Sequence, residues 1–287
     1  MLEYTQHANV GDQVRREIEE VLAQGRTRFQ EYLFFRSRMH GTCVVLDGDI
    51  QSCASDEALY HEALVHPALL LHPRPRRVLI MGGGEGATAR EVLRHPTVEE
   101  VVMVDIDEEF VRLCRQLIPD WGGASWEDPR LEILYQDINV HLDEDGPGYD
   151  VVIGDLIDIH DWDAPAAELY GKAFYERLKG RLNPGALLAT QAGPLVPNDL
   201  HGHLRIRATL YESFDHVRSY GLVVPSFYHL WGFVLASDTE LETDPARLQR
   251  QMSERARERG VEPPTTGSAA LAAAFALPRA ILHSFER

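Results

Sequence analysis

The sequence predicts an α/β protein, in which a Rossmann-like sheet covered by helices follows a small N-terminal antiparallel β-domain. Short β-like runs separated by a turn signal occupy much of the region before residue 55. From Arg77 onward, apolar runs of strand length alternate with segments of helical spacing, and this alternation predicts a mostly parallel sheet. A glycine-rich loop marks the first strand-to-helix turn. We therefore expect an N-terminal β-domain at residues 1–55 and a Rossmann-like domain at residues 56–287.

The elements of the N-terminal part follow from short patterns. Three runs rich in β-branched and aromatic residues predict strands, and Asp47-Gly48 predicts a turn between the last two. Residues 57–71 carry apolar side chains at helical spacing and lead into a proline-rich link, so they predict a helix. The predicted strands are residues 30–36, 43–47 and 50–52.

In the second domain, short apolar runs predict strands and the periodic segments between them predict helices. The predicted strands are residues 78–81, 101–107, 131–136, 150–154 and 187–190. The predicted helices are residues 87–94, 108–117 and 169–182. Near the end, residues 214–220 and 232–236 predict an antiparallel pair, and residues 268–276 predict an alanine-rich helix.

The formal net charge of the chain is −17 at pH 7. Because binding to phosphates needs basic surface, this charge argues against a nucleic-acid ligand. It suits a cationic substrate, although solubility alone would also explain it. No apolar run of about 18 residues occurs, and the charged N-terminus lacks a signal-peptide core, so we expect neither a membrane span nor export. Cys43, Cys53 and Cys114 follow neither a metal-ligand nor a disulfide pattern, which favours the cytoplasm.

The glycine-rich loop has the sequence MGGGEG at residues 81–86. Glycine allows a tight turn and lets a ligand approach the main chain. Twenty residues after Glu85, Asp105 lies in the next predicted strand, where its carboxylate can accept hydrogen bonds from both hydroxyls of a ribose. A structural turn would explain the glycines alone but not this acid. The two features together indicate a cofactor that contains a nucleoside.

Glu85 distinguishes between two kinds of nucleoside cofactor. Gly82-x-Gly84-x-x-Ala87 satisfies the relaxed dinucleotide fingerprint. An anionic side chain at Glu85 would repel a pyrophosphate, whereas it would attract a cationic sulfonium or ammonium group. The sequence therefore favours an S-adenosyl sulfonium over NAD. The alternative is that Glu85 simply points to solvent.

A second acidic group follows the fourth strand of the predicted sheet. Asp155 and Asp158 lie at the carboxyl end of that strand, where open α/β proteins bind ligands, and Asp161, Asp163 and Glu168 extend the run. Successive carboxylates can hold a linear polyamine. One of them can take the proton from an alkylammonium group, which makes the nitrogen nucleophilic. A solvated acidic loop that caps a helix is the alternative interpretation.

Several segments, in matching order along the chain, resemble the polyamine aminopropyltransferases, which form the spermidine synthase family. These segments are QEYLFFR (30–36), LDGDIQS (46–52), DEALYHEALVHPALL (56–70), RVLIMGGGEGATAREVLRHP (77–96), VVMVDID (101–107), YQD (135–137), GDLID (154–158) and APAAELYGKAFYERLK (164–179). TQAGP at 190–194 and VPSF at 224–227 look most like the thermospermine synthase and triamine-type branch. The resemblance implies a sheet of the S-adenosylmethionine-methyltransferase type and assembly as a homodimer or homotetramer.

The resemblance also implies a role for each matching residue. Asp155 is the expected general base, and Glu85 is expected to bind the aminopropyl ammonium of the donor. The donor-binding residues that it implies are Gln30, Gly82, Gly84, Glu85, Asp105, Asp137, Ile138 and Pro165. The acceptor-binding residues are Tyr60, His61, Glu85, Asp155 and Asp158, with Phe227 and Trp231 as an apolar wall where many members carry a tyrosine. No metal ion is expected.

The activity implied is transfer of the aminopropyl group of decarboxylated S-adenosylmethionine to a polyamine amine, with methylthioadenosine as product and no tightly bound cofactor. We expect spermidine as the acceptor, giving thermospermine or a related tetraamine; putrescine and agmatine are alternatives within the family. Outside it, the alternatives are a polyamine N-methyltransferase, an NAD-dependent oxidoreductase and a catalytically silent binding protein. Glu85 argues against the first of these, and Asp155 argues against the last.

One loop departs from the family pattern. Where the family continues its second aspartate as D-P-x-G, Asp158 is followed here by Ile159-His160-Asp161-Trp162. Trp162 could stack on a methylene chain, and Asp161 or Asp163 could hold a further ammonium group. Equally, the segment could be a variable surface loop.

Overall fold

The protein is represented by a computed structural model that describes residues 2–9, 12–159 and 161–285. The strands are β1 (Leu2–Asn9), β2 (Asp12–Ile18), β3 (Glu20–Arg26), β4 (Glu31–Ser37), β5 (Gly41–Leu46), β6 (Asp49–Cys53), β7 (Arg77–Gly82), β8 (Glu100–Asp105), β9 (Leu131–Tyr135), β10 (Tyr149–Asp155), β11 (Leu182–Pro194), β12 (His216–Val224) and β13 (His229–Ser237). The α-helices are α1 (Glu57–Leu71), α2 (Ala87–Leu93), α3 (Glu108–Leu117), α4 (Pro119–Gly122), α5 (Ile138–Asp143), α6 (Lys172–Lys179), α7 (His201–Ser213), α8 (Pro245–Arg259), α9 (Ser268–Ala273) and α10 (Arg279–Leu282).

The central sheet has the strand order β12-β13-β11-β10-β7-β8-β9. Neighbours from β11 to β9 are parallel, whereas β13 pairs antiparallel with both β11 and β12. From β7 the chain moves outward through β8 to β9, and it then returns to the other side of β7 at β10. The strand order therefore reverses between β7 and β10, and the carboxyl ends of these strands form the usual ligand crevice of such sheets. The predicted parallel sheet with a terminal antiparallel pair is confirmed.

The region before α1 holds two antiparallel arrangements: a β1–β2 hairpin and a four-stranded sheet of β3 to β6. The three predicted strands correspond to β4, β5 and β6, but β1 to β3 were not predicted. Their sequences lack an apolar alternation, and in β2 only Arg16 is buried. The hairpin is held by polar contacts, since Tyr4 Oη donates to the Gly48 carbonyl (2.7 Å) and Arg16 donates to the Ser226 carbonyl. The domain boundary between residues 55 and 56 stays a prediction.

Helix α1 is buried along almost its whole length, and it packs against α2, α8 and β11. It spans the predicted residues 57–71. The carbonyls of its last turn, which a helix leaves without internal partners, accept hydrogen bonds from two arginines of α8. Arg255 donates to Leu70 (2.8 Å) and Arg259 donates to Leu69 (2.6 Å). The first turns of α1 point instead toward the carboxyl ends of β7 and β10, where they carry polar side chains.

Some elements differ from the prediction for identifiable reasons. The helix predicted at 169–182 is divided at Gly171, whose backbone is extended, into a 3-10 turn (Pro165–Tyr170) and α6. Helices α7 and α8 were not predicted because only a few of their residues are buried. Cys43 and Cys53 are ten residues apart in the sequence, but they are cross-strand neighbours with their Sγ atoms 3.1 Å apart. Both are free thiols. Among the described residues, no helix has the length and apolar character needed to span a bilayer.

Candidate active site

The glycine loop joins β7 to α2 and lies against the end of β10. Gly82, Gly83 and Gly86 have φ values of 78°, 79° and 82°, in the left-handed region that favours glycine. A Cβ at Gly82 would lie 2.2 Å from the carbonyl oxygen of Asp155, which also accepts a hydrogen bond from the Gly83 amide (3.2 Å). The glycines thus let the loop fold tightly over the last residue of β10, and they bring Glu85 and Asp155 to one place.

A cavity of about 540 Å³ opens at the carboxyl ends of β7, β8 and β10, and residues of β4 to β6 and their flanking loops cover one side. Every residue to which the family resemblance assigned a role lines this cavity. These residues are Gln30, Tyr60, His61, Gly82, Gly84, Glu85, Asp105, Asp137, Ile138, Asp155, Asp158, Pro165, Phe227 and Trp231. Their location in one cavity follows from the structure, and the roles assigned to them stay predictions.

Asp105 ends β8 beside the glycine loop. Its Oδ1 accepts a hydrogen bond from the amide of Asp107 (2.8 Å), and burial, the largest influence, raises the pKa of Asp105 to about 6. Gln30 donates to Asp107 Oδ2 (3.0 Å), and Asp107 also caps α3 through the amide of Phe110 (3.1 Å). Sequence reasoning missed Asp107, although its position just before a predicted helix is a capping signal.

Glu85 is buried, with 7% of its surface exposed. Its Oε2 accepts a hydrogen bond from Ser52 Oγ in β6 (2.6 Å), whereas its Oε1 has no partner among the described residues. Burial raises the pKa of Glu85 to about 7, against the opposing charge of His61 and the hydrogen bond from Ser52. A buried carboxylate oxygen without a partner is costly, and Glu85 lines the cavity, so a ligand that donates to this carboxylate would remove the cost.

His61 lies behind Glu85 on α1. Its Nδ1 is 2.7 Å from the carbonyl oxygen and 3.1 Å from Oε2 of Glu57, and its Nε2 is 3.9 Å from Glu85 Oε2. Burial alone would lower the pKa of His61, but the hydrogen bond to Glu57 and the charges of Asp155, Glu57 and Glu85 raise it to about 9. Glu57 is in turn paired with Arg90 of α2 (2.9 Å). Neither Glu57 nor Arg90 was predicted as a functional residue.

Asp155 is held by two hydroxyl groups from different elements. Tyr60 Oη donates to Oδ1 (3.0 Å), and Thr88 Oγ1 donates to Oδ2 (2.5 Å). Burial, followed by the charges of Asp155 and Asp158, raises the pKa of Tyr60 well above its ordinary value, so the phenol remains a donor at neutral pH. Asp155 is thus fixed in orientation at the cavity wall. A general base at this position would require such a fixed orientation in order to reach the proton that it accepts.

The side of the cavity beyond Asp155 has an aromatic wall. The Phe227 and Trp231 rings have centroids 4.6 Å apart, and Tyr60 meets Phe227 edge-to-face at 5.8 Å. The loop after β10 is fixed by its backbone, because Gln191 donates to the Leu156 carbonyl (3.0 Å) and Tyr170 donates to the Ile157 carbonyl (3.1 Å). Apolar walls beside Asp155 and Asp158 suit methylene chains that end in ammonium groups.

The unusual loop segment stands outside this wall. Asp161, Trp162 and Asp163 do not line the cavity, and His160 lies outside the described residues. Asp161 Oδ1 accepts from the amide of Asp163 (2.9 Å), which is a local turn. The Trp162 ring meets Tyr170 at 6.4 Å and lies 4.5 Å from the Arg205 guanidinium of α7. The structure therefore favours the surface-loop interpretation, with Trp162 as an anchor on α7.

Within the described ranges, no group of three or more His, Cys, Asp and Glu side chains is arranged to hold a metal ion. The polar groups around Glu85 and Asp155 are carboxylates that accept hydrogen bonds from protein hydroxyls.

The profile described as "Spermine/spermidine synthase domain" matches residues 57–245, and "Spermidine synthase tetramerisation domain" matches residues 4–53. A polyamine aminopropyltransferase of Aeropyrum pernix is 48% identical over 232 residues, which are 80% of this chain and 72% of that protein. A thermospermine synthase of Arabidopsis thaliana is 39% identical over 240 residues, 82% of this chain and 69% of that protein.

Two solved structures share the fold. A spermidine synthase in complex with the transition-state analogue AdoDATO has a TM-score of 0.90 and 24% identity, over 99% of this chain and 95% of that one. The spermidine synthase of Thermotoga maritima has a TM-score of 0.87 and 23% identity, over 99% and 94% of the two chains. Both confirm the predicted fold, with its small antiparallel region beside the parallel sheet.

Proposed function

Because the chain belongs to the spermine/spermidine synthase family, we propose that it transfers the aminopropyl group of decarboxylated S-adenosylmethionine to spermidine, giving thermospermine or a related tetraamine. Methylthioadenosine is the second product. The predicted family is confirmed, and the chain is a polyamine aminopropyltransferase. The choice of spermidine goes beyond this and rests on the cavity.

The observation that carries the donor assignment is the unpartnered Oε1 of buried Glu85. This acceptor lies on the glycine loop, and Asp105 lies at the end of the adjacent strand β8. An aminopropyl ammonium suits Glu85, and ribose hydroxyls suit Asp105. Ordinary S-adenosylmethionine carries a carboxylate next to that ammonium, which would meet Glu85 with like charge and little room for water.

The chemistry needs only positioning and one base. The acceptor nitrogen forms a bond to the propyl carbon of the donor, the bond from that carbon to sulfur breaks, and its electron pair goes to sulfur. Asp155, oriented by Tyr60 and Thr88, takes the proton that the nitrogen loses. Holding both partners in one cavity converts a bimolecular step into an effectively unimolecular one.

A long acceptor is supported by the wall beyond Asp155. Tyr60, Phe227 and Trp231 present rings along which methylene groups can lie, and Asp158 supplies a further carboxylate. The similarity to the Arabidopsis thermospermine synthase is in agreement with a triamine acceptor. Putrescine and agmatine are shorter than spermidine and have fewer methylene groups to place along this wall.

The test is incubation of the purified protein with either decarboxylated or ordinary S-adenosylmethionine and a panel of polyamines, with product analysis by mass spectrometry. We expect an aminopropyl increment on spermidine, with decarboxylated donor only. A gain of one methyl group in mass would instead identify an N-methyltransferase. Preferential alkylation of putrescine or agmatine would contradict the assignment of spermidine as the acceptor. Thermospermine and spermine have equal mass, so chromatography against both standards identifies the alkylated nitrogen.

The tetramerisation-domain match at residues 4–53 supports an oligomer. We propose a homodimer or homotetramer, with light scattering of the purified protein as the measurement. A polyamine as the small-molecule partner, without nucleic acid, agrees with the net charge of −17. The cytoplasmic location stays a prediction.

A further inference from the structure

Both ring nitrogens of His61 face oxygen atoms that can accept hydrogen bonds. Its Nδ1 is within hydrogen-bond distance of two oxygens of Glu57, the backbone carbonyl (2.7 Å) and Oε2 (3.1 Å). Neither oxygen can donate when the carboxyl is ionised, so Nδ1 carries a hydrogen. The ring is fully enclosed, with 2% of the side chain exposed. The tautomer is therefore fixed from the side of Glu57.

The other nitrogen faces the donor-site carboxylate. His61 Nε2 lies 3.9 Å from Glu85 Oε2, the oxygen that also accepts from Ser52. If Nε2 carried a lone pair, it would face a lone pair of the Glu85 carboxylate, and the two would repel. If Nε2 carries a hydrogen, the ring is an imidazolium and the two groups attract. Geometry alone thus favours the charged ring.

Glu57 is held in place from outside the cavity. Arg90 of α2 donates from Nη2 to Oε2 (2.9 Å) and from Nη1 to Oε1 (3.0 Å), and Glu57 itself does not line the cavity. Charges therefore alternate in the order Glu85, His61, Glu57 and Arg90. A two-point contact of this kind fixes the carboxylate in one orientation.

We propose that Glu57 is a positioning residue for the donor site, which keeps His61 as an imidazolium that balances Glu85 until the ammonium of a substrate arrives. This gives His61 a different task from direct contact with the acceptor. The proposal rests on the proposed function for the identity of that ammonium, but the state of the His61 ring is independent of it.

The consequence for Glu85 follows from its burial. Burial raises the pKa of Glu85, and the charge of His61 opposes this rise and helps to limit the pKa to about 7. Without the imidazolium, Glu85 would hold a proton at neutral pH and would bind an ammonium poorly. The charged and titratable groups that face His61 are Glu57 and Tyr60 of α1, Glu85 of the glycine loop, and Asp155 at the end of β10, with Arg90 behind Glu57.

The direct experiment is a pH titration of the histidine ring signals by NMR, in protein labelled with ¹³C and ¹⁵N at histidine and free of substrates. The signal missing from His61→Gln is assigned to His61. In the wild-type protein we expect this ring to titrate near pH 9, and in Glu57→Gln at least about one unit lower, as for a ring that loses a neighbouring carboxylate. Wild-type titration at or below the ordinary histidine value near 6.5 would overturn the proposal without any variant that perturbs the fold.

Glu62→Gln is the matched control. Glu62 is also a buried carboxylate of α1, but it accepts from the amides of Thr265 (2.9 Å) and Thr266 (2.7 Å), away from His61. We expect the His61 titration to be unchanged in this variant. An equal shift in Glu62→Gln and Glu57→Gln would contradict a specific task for Glu57.

Steady-state kinetics test whether the charge of the His61 ring affects binding of the donor. Glu57→Gln is expected to raise KM for the donor about 10-fold at pH 7 with a smaller change in kcat, and to move the acid limb of kcat/KM for the donor to higher pH. If Glu57→Gln shifts the His61 titration but leaves the donor KM and the pH profile unchanged, Glu57 is not a positioning residue for the donor site. Absence of aminopropyl transfer in the wild type would refute the proposed function instead, and the NMR result would still decide the state of His61.

Discussion

On the donor side of the cavity, Glu85 lies three residues after the end of β7, and Asp105 is the last residue of β8. The backbone of these buried strands therefore fixes the positions of both residues. On the acceptor side, Asp158 and the residues after it lie in a loop that is attached to the protein at separate points, through Gln191, Tyr170 and Trp162. Strand ends allow little variation in position, whereas a loop can change length and sequence. Under the proposed function, this difference means that the fold fixes the donor side and that the choice of acceptor depends on how this loop is anchored.

Asp155, the proposed base, lies between the two sides, so its substitution is expected to have the largest effect. Asp155→Asn keeps the shape of the side chain but cannot take a proton, and kcat should fall about 100- to 10,000-fold with donor binding retained. Single-turnover kinetics and donor binding by calorimetry measure the two effects separately. Asp161→Asn, in the exposed loop outside the cavity, is the control and should change kcat by less than about two-fold. Normal turnover of Asp155→Asn would exclude Asp155 as the base.

The next effect belongs to the donor side alone. Glu85→Gln removes the charge that meets the donor ammonium, and KM for the donor should rise about 10- to 100-fold. In the wild type, kcat/KM for the donor should increase as pH rises through about 7, since only the ionised Glu85 attracts an ammonium. The variant should lose this limb. Glu99→Gln, at the opposite end of the sheet and paired with Arg76, should retain it.

A smaller effect is expected where β6 supports the donor side. Ser52→Ala removes the hydroxyl that donates to Glu85 Oε2, and KM for the donor should rise about 3- to 10-fold without a change in acceptor KM. Ser55→Ala, whose hydroxyl contacts the exposed side chain of His40, serves as the control from the same segment. Equal effects of the two substitutions on donor KM would show that the contact with Glu85 is unimportant.

The smallest effect should come from the loop anchor. Trp162→Ala removes the ring that packs between Tyr170 and Arg205, and acceptor KM should rise about 2- to 5-fold while donor KM stays unchanged. Tyr211→Ala removes another ring that lies against an arginine of α7, Arg207 at 4.8 Å, and should change neither KM because Tyr211 does not line the cavity. A rise in donor KM for Trp162→Ala would contradict the separation of the two sides.

Local patterns predicted the sheet, the glycine loop and its acidic neighbours, whereas the other site residues were implied by the family resemblance. Apolar runs define β7, β8 and β10, and acidic residues beside their carboxyl ends must share one edge of a parallel sheet. Ser52, Thr88 and Glu57 were missed because nothing local distinguishes them. Ser52 reaches Glu85 across 33 positions of the chain, and Thr88 reaches Asp155 across 67.

The polar hairpin β1–β2 and the surface helices α7 and α8 were missed for a related reason. Their stability comes from contacts with distant parts of the chain, such as Arg16 with the Ser226 carbonyl and Arg259 with the end of α1. Because few residues of these elements are both apolar and buried, a pattern of apolar residues gives only a weak signal for them. The position of Trp162 likewise depends on a contact with Arg205, which lies more than forty residues away in the sequence.

The central claim is that the unpartnered oxygen of Glu85 selects the decarboxylated donor, and calorimetric binding tests it most directly. Wild-type protein should bind decarboxylated S-adenosylmethionine at least about 100-fold more tightly than S-adenosylmethionine, since only the latter carries a carboxylate. In Glu85→Gln this ratio should fall to about 10 or less. Equal affinity of the wild-type protein for the two donors, or a ratio that Glu85→Gln leaves unchanged, would contradict the account.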